Sequence, residues 1–201
     1  MKRLAVLAAL ALAGCGQTKD EGISGGGKVI GNTVTVYSLT GDPGGTNRSV
    51  VDGEKLALSD AGGRAGQYAI NFSSLDLGTD DDAQAESSRR AINDPQVIAA
   101  IADATRVTIP LFNAAGILQV APSGDPRLIS DAEQLPSGRS TVGKLEGSLP
   151  AGFAERYEAA FKRAPDQSAE NGYRAMAAVL AAIKTAGAAG NDRTRVIDSY
   201  L

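Results

Sequence analysis

The sequence predicts an α/β domain built on a doubly wound, mainly parallel β-sheet. Short apolar or alternating stretches, typical of β-strands, are separated by helical stretches of roughly 10–15 residues, the pattern of βαβ units. The wholly apolar stretch Val97–Ile101 is typical of a parallel strand covered on both faces. Hydrophobic residues make up 43% of the 201-residue chain and aromatic residues only 4%, so we expect a core of aliphatic side chains.

Four strands and three helices are expected in the first part of the domain. The strands are predicted near 33–38, 68–72, 97–101 and 117–121, and the helices near 46–61, 80–93 and 103–115. Gly62-Gly63 and Gly116 end two of the helices, and the run Asp80–Asp82 is expected to cap the start of another. Ligands of doubly wound sheets bind outside the carboxyl ends of the strands, so the loops at 38–46, 76–82, 102–105 and 122–126 are the candidate site.

The second part of the domain is expected to be mainly helical. Residues 123–150 are polar and contain Gly and Pro, with one short strand predicted near 142–145. Three helices follow: one with an apolar stripe from Phe153 to Phe161, one capped by Ser168, and a short last helix that begins at Asn191 or Asp192. We interpret the apolar stripes as core.

The N-terminus has the pattern of an exported, lipid-modified protein. Lys2 and Arg3 precede the apolar segment Leu4–Leu12, which is too short for a bilayer span of about 20 residues and matches a signal peptide. The sequence from Leu12 to Cys15, L-A-G-C, resembles the lipobox of bacterial lipoproteins. We therefore expect a signal peptide at 1–14, a lipidated Cys15 followed by a Gly-rich linker to 31, and a domain at 32–201. The alternative is an ordinary secretory signal in which Cys15 is incidental.

Composition excludes several function classes. The chain has no His and one Cys, which removes His-dependent nucleophile systems, the usual His-bearing zinc sites and a disulfide within the chain. A net charge of −3 is unlike that of nucleic-acid-binding domains. The run Asp80–Asp82 fits a helix start better than a cation site, and Gly41–Gly45 lacks the nucleotide-binding motifs. We expect no enzyme activity, no metal and no cofactor.

Four stretches of the sequence together resemble a known family. They are Ser38–Gly41 with Asp52–Ala57 and Ala61–Gly63; Asp94–Ala99; Ala104–Arg106 with Asn113–Pro122; and the late helices with Gly172–Met176 and Asn191–Arg193. In this order they resemble the branched-chain amino-acid-binding (leucine/isoleucine/valine-binding) family of ABC-transporter substrate-binding lipoproteins, which are type I periplasmic binding proteins. The resemblance implies a Rossmann-like lobe one. Residues 123–149 take the place of nearly a whole second lobe, so we expect a single lobe.

The resemblance also implies where a ligand would bind. In the family, lobe one holds the ammonium and carboxylate of an amino acid through hydroxyl and backbone groups of two loops, which match 101–106 and 121–125 here. A serine that the family has before Ala-Thr-Arg is absent. The candidate ligand-binding residues are Thr40, Asp103, Thr105, Ser123 and Asp125. Each has a structural alternative: Asp103 as a helix N-cap, Thr105 as a partner of a helix-start amide, and Ser123 with Asp125 as a turn.

Two functions remain open at this point. The first is a lipid-anchored, extracytoplasmic solute-binding protein that works with an ABC permease in uptake of amino acids. Loss of a hydroxyl that bonds a charged group removes roughly 1.5–3 kcal/mol, and a missing lobe removes much of the ligand's burial, so reduced or lost affinity is expected. The second is a membrane-tethered interaction or sensor module in which the lobe docks a membrane partner or forms a homodimer.

Overall fold

The computed structural model describes residues 27–40, 46–123, 141–145 and 147–201. The strands are β1 (Thr33–Thr40), β2 (Arg64–Ala65), β3 (Tyr68–Asp76), β4 (Val97–Ala102), β5 (Leu118–Val120) and β6 (Val142–Gly143). The helices are α1 (Thr46–Asp60), α2 (Asp81–Ile92), α3 (Thr108–Ala114), α4 (Phe153–Phe161), α5 (Gln167–Thr185) and α6 (Arg193–Tyr200), with a 3-10 turn at Gly187–Ala189. Within the described residues, no helix combines the length and apolar character needed to cross a membrane.

The six strands form one sheet in the order β2-β3-β1-β4-β5-β6. β1 pairs in parallel with β3 on one side and β4 on the other, and β5 and β6 continue the parallel pairing. Only β2 runs antiparallel, as the edge of a tight hairpin with β3. The predicted doubly wound, mainly parallel sheet is therefore confirmed. Its winding direction reverses between β1 and β4, and such a switch point is where a crevice opens at the carboxyl ends of the strands.

Helices cover both faces of the sheet. One face carries α1, α4, α5 and α6, and side chains such as Ile98 and Met176 fill the larger apolar cluster beneath them. The other face carries α2 and α3 over a smaller cluster that includes Ala100 and Phe112. This two-sided burial explains why every residue of β4 is buried and why its sequence is wholly apolar.

Helices α1 and α5 pack with their backbones in close contact. A Cβ atom on Gly53 would lie 2.0 Å from the carbonyl oxygen of Ala169, and one on Gly172 would lie 2.1 Å from that of Val50. Glycine at both positions is therefore required for this packing distance. The close approach holds α1 against α5 and so limits the movement of Glu54, the residue after the first glycine.

The structure corrects several predicted boundaries. The hairpin strand β2 was not predicted, and β3 extends to Asp76 instead of ending near residue 72. The prediction that the run Asp80–Asp82 caps α2 is confirmed, and the capping residue is Asp80, whose side chain accepts from the Ala83 amide at 2.9 Å. The expectation that Ser168 caps α5 is wrong: Asp166 accepts from the Ala169 amide at 2.9 Å and begins the helix earlier. A carboxylate at this position is further favoured by the helix dipole.

Residues 27–31, assigned to the linker from their composition, contact the domain. The backbone of Lys28 forms an isolated antiparallel bridge with Asp192, and the Val29 side chain is buried. Asn191 donates from its side-chain amide to the carbonyl of Val29 at 2.7 Å. The segment lies near the amino ends of the strands, because the neighbouring Arg193 donates to the carbonyl at the start of β4. The packed domain therefore begins before residue 32.

Candidate functional site

The ends of β1, β4 and β5 meet on one side of the sheet, which we call the carboxyl edge and define by Thr40, Asp103, Thr105 and Ser123. Parallel pairing aligns the last residues of the three strands. The Asp103 amide donates to the carbonyl of Leu39 at 3.3 Å, which continues the pairing of β4 with β1 past the strand end. Four of the five predicted site residues thus lie along the carboxyl edge, which includes the switch point between β1 and β4.

Asp103 and Ser123 join the two loops that follow β4 and β5. The hydroxyl of Ser123 donates a hydrogen bond to a carboxylate oxygen of Asp103. Ser123 is exposed and Asp103 half-buried, so the pair lies at the protein surface. An ionised carboxylate accepts several hydrogen bonds at once, which makes Asp103 suited to a positively charged donor. The expectation of Asp103 as a helix N-cap is wrong, because its side chain bonds across to Ser123 and α3 begins later.

Thr105 has a structural role at the start of α3. Its hydroxyl accepts from the Thr108 amide at 3.1 Å, and the Thr108 hydroxyl in turn accepts from the Thr105 amide at 3.0 Å. This reciprocal exchange has the logic of a capping box and satisfies amides at the helix start. The Thr105 hydroxyl also donates to the side chain of Gln84 at 2.9 Å, which ties α3 to α2. The structural alternative stated for Thr105 is therefore the one observed.

The remaining predicted site residues differ in accessibility. Thr40 is at the end of β1 but only 3% of it is exposed, so its side chain lies beneath the surface of the edge. Asp125 and the predicted lipidation site Cys15 lie outside the described residues. Their roles stay predictions.

Gln119 braces the loop after β4, a role that sequence reasoning missed. It is fully buried in β5, and its side-chain amide donates to the carbonyls of Ala102 and Asp103 at 3.3 and 3.2 Å. The same amide lies 3.0 Å from the hydroxyl of Thr108, which itself donates to the Asp103 carbonyl at 2.8 Å. A polar residue in an otherwise apolar strand was the signal that could have found it. These bonds hold the backbone of Asp103 in place.

Glu54 is a second residue that the sequence analysis did not single out as functional. It is fully buried on the side of α1 that faces the sheet, and neither carboxylate oxygen has a hydrogen-bond partner among the described residues. Burial raises the pKa of Glu54 well above its usual range; the Ser38 hydroxyl and Lys55 oppose this rise, and the negative charge of Asp103 adds to it. The spacing of Val50, Glu54 and Ala57, which places all three on one helix face, was the available signal.

The acidic run at the start of α2 is used structurally. Asp80 caps the helix, and Asp81 pairs with Arg106 at 2.7 Å across an exposed surface. Across the part of the chain that the structure describes, no group of three or more acidic or sulfur-bearing side chains could hold a metal ion.

Two grooves lie away from the carboxyl edge. One, of about 340 Å³, lies between α5, α6 and residues 147–148, and Arg174 and Tyr200 are among its lining residues. The other, of about 650 Å³, lies between the end of α1, β2 and α5, with Asp60 and Lys184 in its walls. Neither groove includes a residue of the carboxyl edge.

Comparison with known proteins gives structural likeness without detectable sequence relatives. No protein-family model matches the sequence, and no curated protein matches it. The fold is similar to a leucine-binding protein from Thermotoga maritima, with a TM-score of 0.62, 13% identity, and coverage of 84% of this chain and 86% of that one. It is similar to a branched-chain amino-acid transporter substrate-binding protein from Streptococcus pneumoniae in complex with isoleucine, with a TM-score of 0.63, 11% identity, and coverage of 84% of this chain and 87% of that one. An ABC-transporter solute-binding protein from R. palustris in complex with benzoate is also similar, with a TM-score of 0.65, 12% identity, and coverage of 84% of this chain and 85% of that one.

These likenesses define the class of fold. The chain has the α/β architecture of a single lobe of type I periplasmic binding proteins, with a mostly parallel sheet. The structures that share it include proteins of branched-chain amino-acid ABC transport, as the resemblance read from the sequence implied.

Proposed function

We propose that the protein is an extracytoplasmic solute-binding component of an ABC-type uptake system, non-enzymatic, with the carboxyl edge as its ligand site. The observation that carries this proposal is the Asp103–Ser123 pair at the carboxyl edge, beside the switch point of the sheet. The pair offers a carboxylate and a hydroxyl where doubly wound folds bind ligands. The solutes named for the structurally similar proteins, isoleucine and benzoate, give the size of ligand to test.

The chemistry of the edge favours an amino acid over a simple carboxylate. Asp103 attracts an ammonium group through a charge-assisted hydrogen bond, whereas a benzoate ion would meet a like charge. The single lobe contacts a ligand from one side, so less of its surface is buried than in a closed cleft. We therefore expect weak binding of a small ammonium-bearing solute, in the millimolar range that corresponds to about −4 kcal/mol.

Membrane attachment forms a separate part of the proposal. Signal-peptide removal after residue 14 and lipidation of Cys15 would tether the chain, with an ABC permease as its partner. The described chain enters the fold at the amino ends of the strands, where Asn191 holds Val29. Since this is the side opposite the carboxyl edge, the tether would leave the ligand site open. Palmitate labelling of the full chain tests this: incorporation should be lost in Cys15→Ser, and label retained in that variant contradicts lipidation at Cys15.

Calorimetric titration of the purified full chain tests the solute-binding role. L-leucine, L-isoleucine and L-valine should give heats that saturate in the millimolar range, and benzoate should give none. Asp103→Asn should remove the amino-acid heats because it removes the charge. Asp82→Asn, at an exposed position of α2, removes the same charge elsewhere and should bind normally. Flat titrations of the unmodified chain with all three amino acids contradict the proposal.

A further inference from the structure

Helix α5 contacts the carboxyl edge through the side chain of Asn171. The side-chain amide of Asn171 donates a hydrogen bond to the backbone carbonyl of Pro122 at 3.1 Å. Pro122 immediately precedes Ser123, whose hydroxyl donates to the carboxylate of Asp103. A helix that otherwise packs in the core therefore bonds the backbone next to the candidate ligand site.

The carbonyl that Asn171 holds determines where Ser123 lies. This carbonyl belongs to the planar peptide unit that ends at the Cα atom of Ser123, so a bond to its oxygen restrains the rotation of the whole plane. The pyrrolidine ring of Pro122 already fixes the φ angle of that residue, which leaves ψ as the rotation that the Asn171 bond limits. The bond therefore restricts the position from which the Ser123 hydroxyl reaches Asp103.

Asn171 is itself held in place by its neighbours on α5. The Gln167 side-chain amide donates to the side-chain oxygen of Asn171 at 3.0 Å. A backbone carbonyl can only accept, so the NH₂ group of Asn171 must face Pro122, and both hydrogen bonds agree on this orientation. The next residue, Gly172, lies at the close contact of α5 with α1, where a Cβ atom would lie 2.1 Å from the carbonyl oxygen of Val50. Helix packing thus fixes the place from which Asn171 donates.

The loop after β5 depends on this bond more than α5 does. Helix α5 is anchored by buried side chains of the larger apolar cluster, Met176 and Ile183 among them. The pairing of β5 with β4 and β6, in contrast, ends at Val120, and Pro122 has no backbone N–H to donate. Loss of the Asn171 donor should therefore release the loop and leave the helix in place.

We propose that Asn171 is a positioning residue of the carboxyl edge, which holds the Pro122 carbonyl and thereby keeps the Ser123 hydroxyl on the carboxylate of Asp103. The inference rests on the proposed function and deepens it, because Asn171 then determines, through Ser123, how Asp103 is oriented toward the ammonium group of a solute. The affinity of the site is thus tied to the packing of α5.

The side-chain rotamer of Ser123 in the full chain tests this inference without any solute. The bond to Asp103 selects one χ1 rotamer of Ser123, and the three-bond couplings between its Hα and Hβ protons report that rotamer by nuclear magnetic resonance. Asp103→Ala removes the acceptor and gives the couplings of a released hydroxyl. Asn171→Leu and Asn171→Ala both remove the donor, the first with the shape nearly kept, and should shift the couplings toward that released value. Asn171→Gln, which keeps a donor, should shift them less, and Asn71→Leu, at an exposed position of β3, should leave them unchanged.

The affinity for L-leucine separates positioning from a general loosening of the fold. Asn171→Leu should weaken binding severalfold in calorimetry. The same substitution should have no further effect in a chain that also carries Ser123→Ala, because its action passes through the Ser123 hydroxyl. A general loosening would weaken binding equally in both chains.

Three results would overturn the inference. The first is Ser123 couplings that are the same in Asn171→Leu, Asn171→Ala and the unmodified chain. The second is couplings in the unmodified chain that already equal those of Asp103→Ala, and the third is an equal loss of affinity with and without Ser123→Ala. Flat titrations of the unmodified chain with leucine contradict the proposed function instead, and the couplings, measured without amino acid, still decide the role of Asn171.

Discussion

The hydroxyl of Ser123, after β5, donates a hydrogen bond to the carboxylate of Asp103, after β4. This bond joins two residues that are 20 positions apart in the sequence, at the carboxyl edge next to the point between β1 and β4 where the winding of the sheet reverses. The bond orients the Asp103 carboxylate at the surface, and the buried side-chain amide of Gln119 holds the Asp103 backbone carbonyl.

Removal of the Ser123 hydroxyl should affect binding more than stability. In Ser123→Ala the Asp103 side chain loses an orienting partner at an exposed position, so the free energy of unfolding should change by less than about 1 kcal/mol. Affinity for L-leucine should fall severalfold. Ser123→Thr, which keeps a hydroxyl, is the matched control. Equal affinities of the alanine variant and the unmodified chain in calorimetry would count against the role given to the pair.

Gln119 should be important for both stability and the site. Gln119→Met keeps the length of the side chain but leaves the Ala102 carbonyl without its side-chain donor, while the Asp103 carbonyl keeps only the donor from the Thr108 hydroxyl. An unsatisfied buried acceptor costs about 1–3 kcal/mol, and urea denaturation should show a loss of that size. The loop after β4 should also show faster amide hydrogen exchange. Unchanged exchange at residues 103–105 would mean that Gln119 does not brace the loop.

Glu54 should make the protein less stable as pH rises. Its pKa is raised in the folded state, so the penalty is absent below the ordinary glutamate pKa and grows as pH rises toward the folded-state value. Glu54→Gln should flatten this dependence, and Glu54→Met should be more stable than the unmodified chain near neutral pH by about 1–3 kcal/mol. Thermal unfolding from pH 4 to pH 8 measures both. If the free energy of unfolding of the unmodified chain instead rises from pH 4 to pH 8 relative to that of Glu54→Gln, the prediction is wrong.

The contact of α1 with α5 should not tolerate a methyl group. Gly53→Ala gains about 1 kcal/mol of helix propensity but places Cβ 2.0 Å from the carbonyl oxygen of Ala169. Overpacking costs about 1–3 kcal/mol, so a net loss of stability is expected in urea denaturation. Ser59→Ala, on the exposed face of α1, should change stability little. An increase in stability from Gly53→Ala would show that the two helices can move apart without cost.

Asn191 should hold the N-terminal segment on the domain. Asn191→Ala removes the donor to the Val29 carbonyl and should cost about 1–2 kcal/mol locally. Amide hydrogen exchange at residues 27–31 should then become faster, while exchange in β1 stays slow. Protection of that segment equal to the unmodified chain would indicate that the backbone pairing of residues 28–29 and the burial of Val29 are sufficient without the side-chain donor.

The sequence was sufficient to predict the sheet because strand and helix patterns depend on local periodicity. It also located the edge, since loops after parallel strands must come together. It did not separate the roles of the residues there. Thr105 and Asp103 are both common helix-start residues, and only the structure shows that Thr105 bonds the first amide of α3 while Asp103 bonds Ser123. Which of the two residues bonds the helix start and which bonds Ser123 depends on contacts between loops that are distant in the sequence.

Buried polar residues were the least predictable part of the site. Gln119 and Glu54 are polar residues within apolar patterns, and composition gives no sign of what lies opposite them. Glu54 shares a helix face with Val50 and Ala57, which is enough to infer burial. Its relation to Ser38 and Asp103 depends on the register of β1 with β4 and on the distance between helix and sheet.

Amide chemical-shift mapping of the full chain with L-leucine at millimolar concentration tests the central claim most directly, namely that a solute binds at the carboxyl edge. We expect perturbations concentrated at residues 101–105 and Ser123, with none in Asp103→Asn. Perturbations confined to the groove between α5 and α6, or none at any concentration in the unmodified chain, would contradict it.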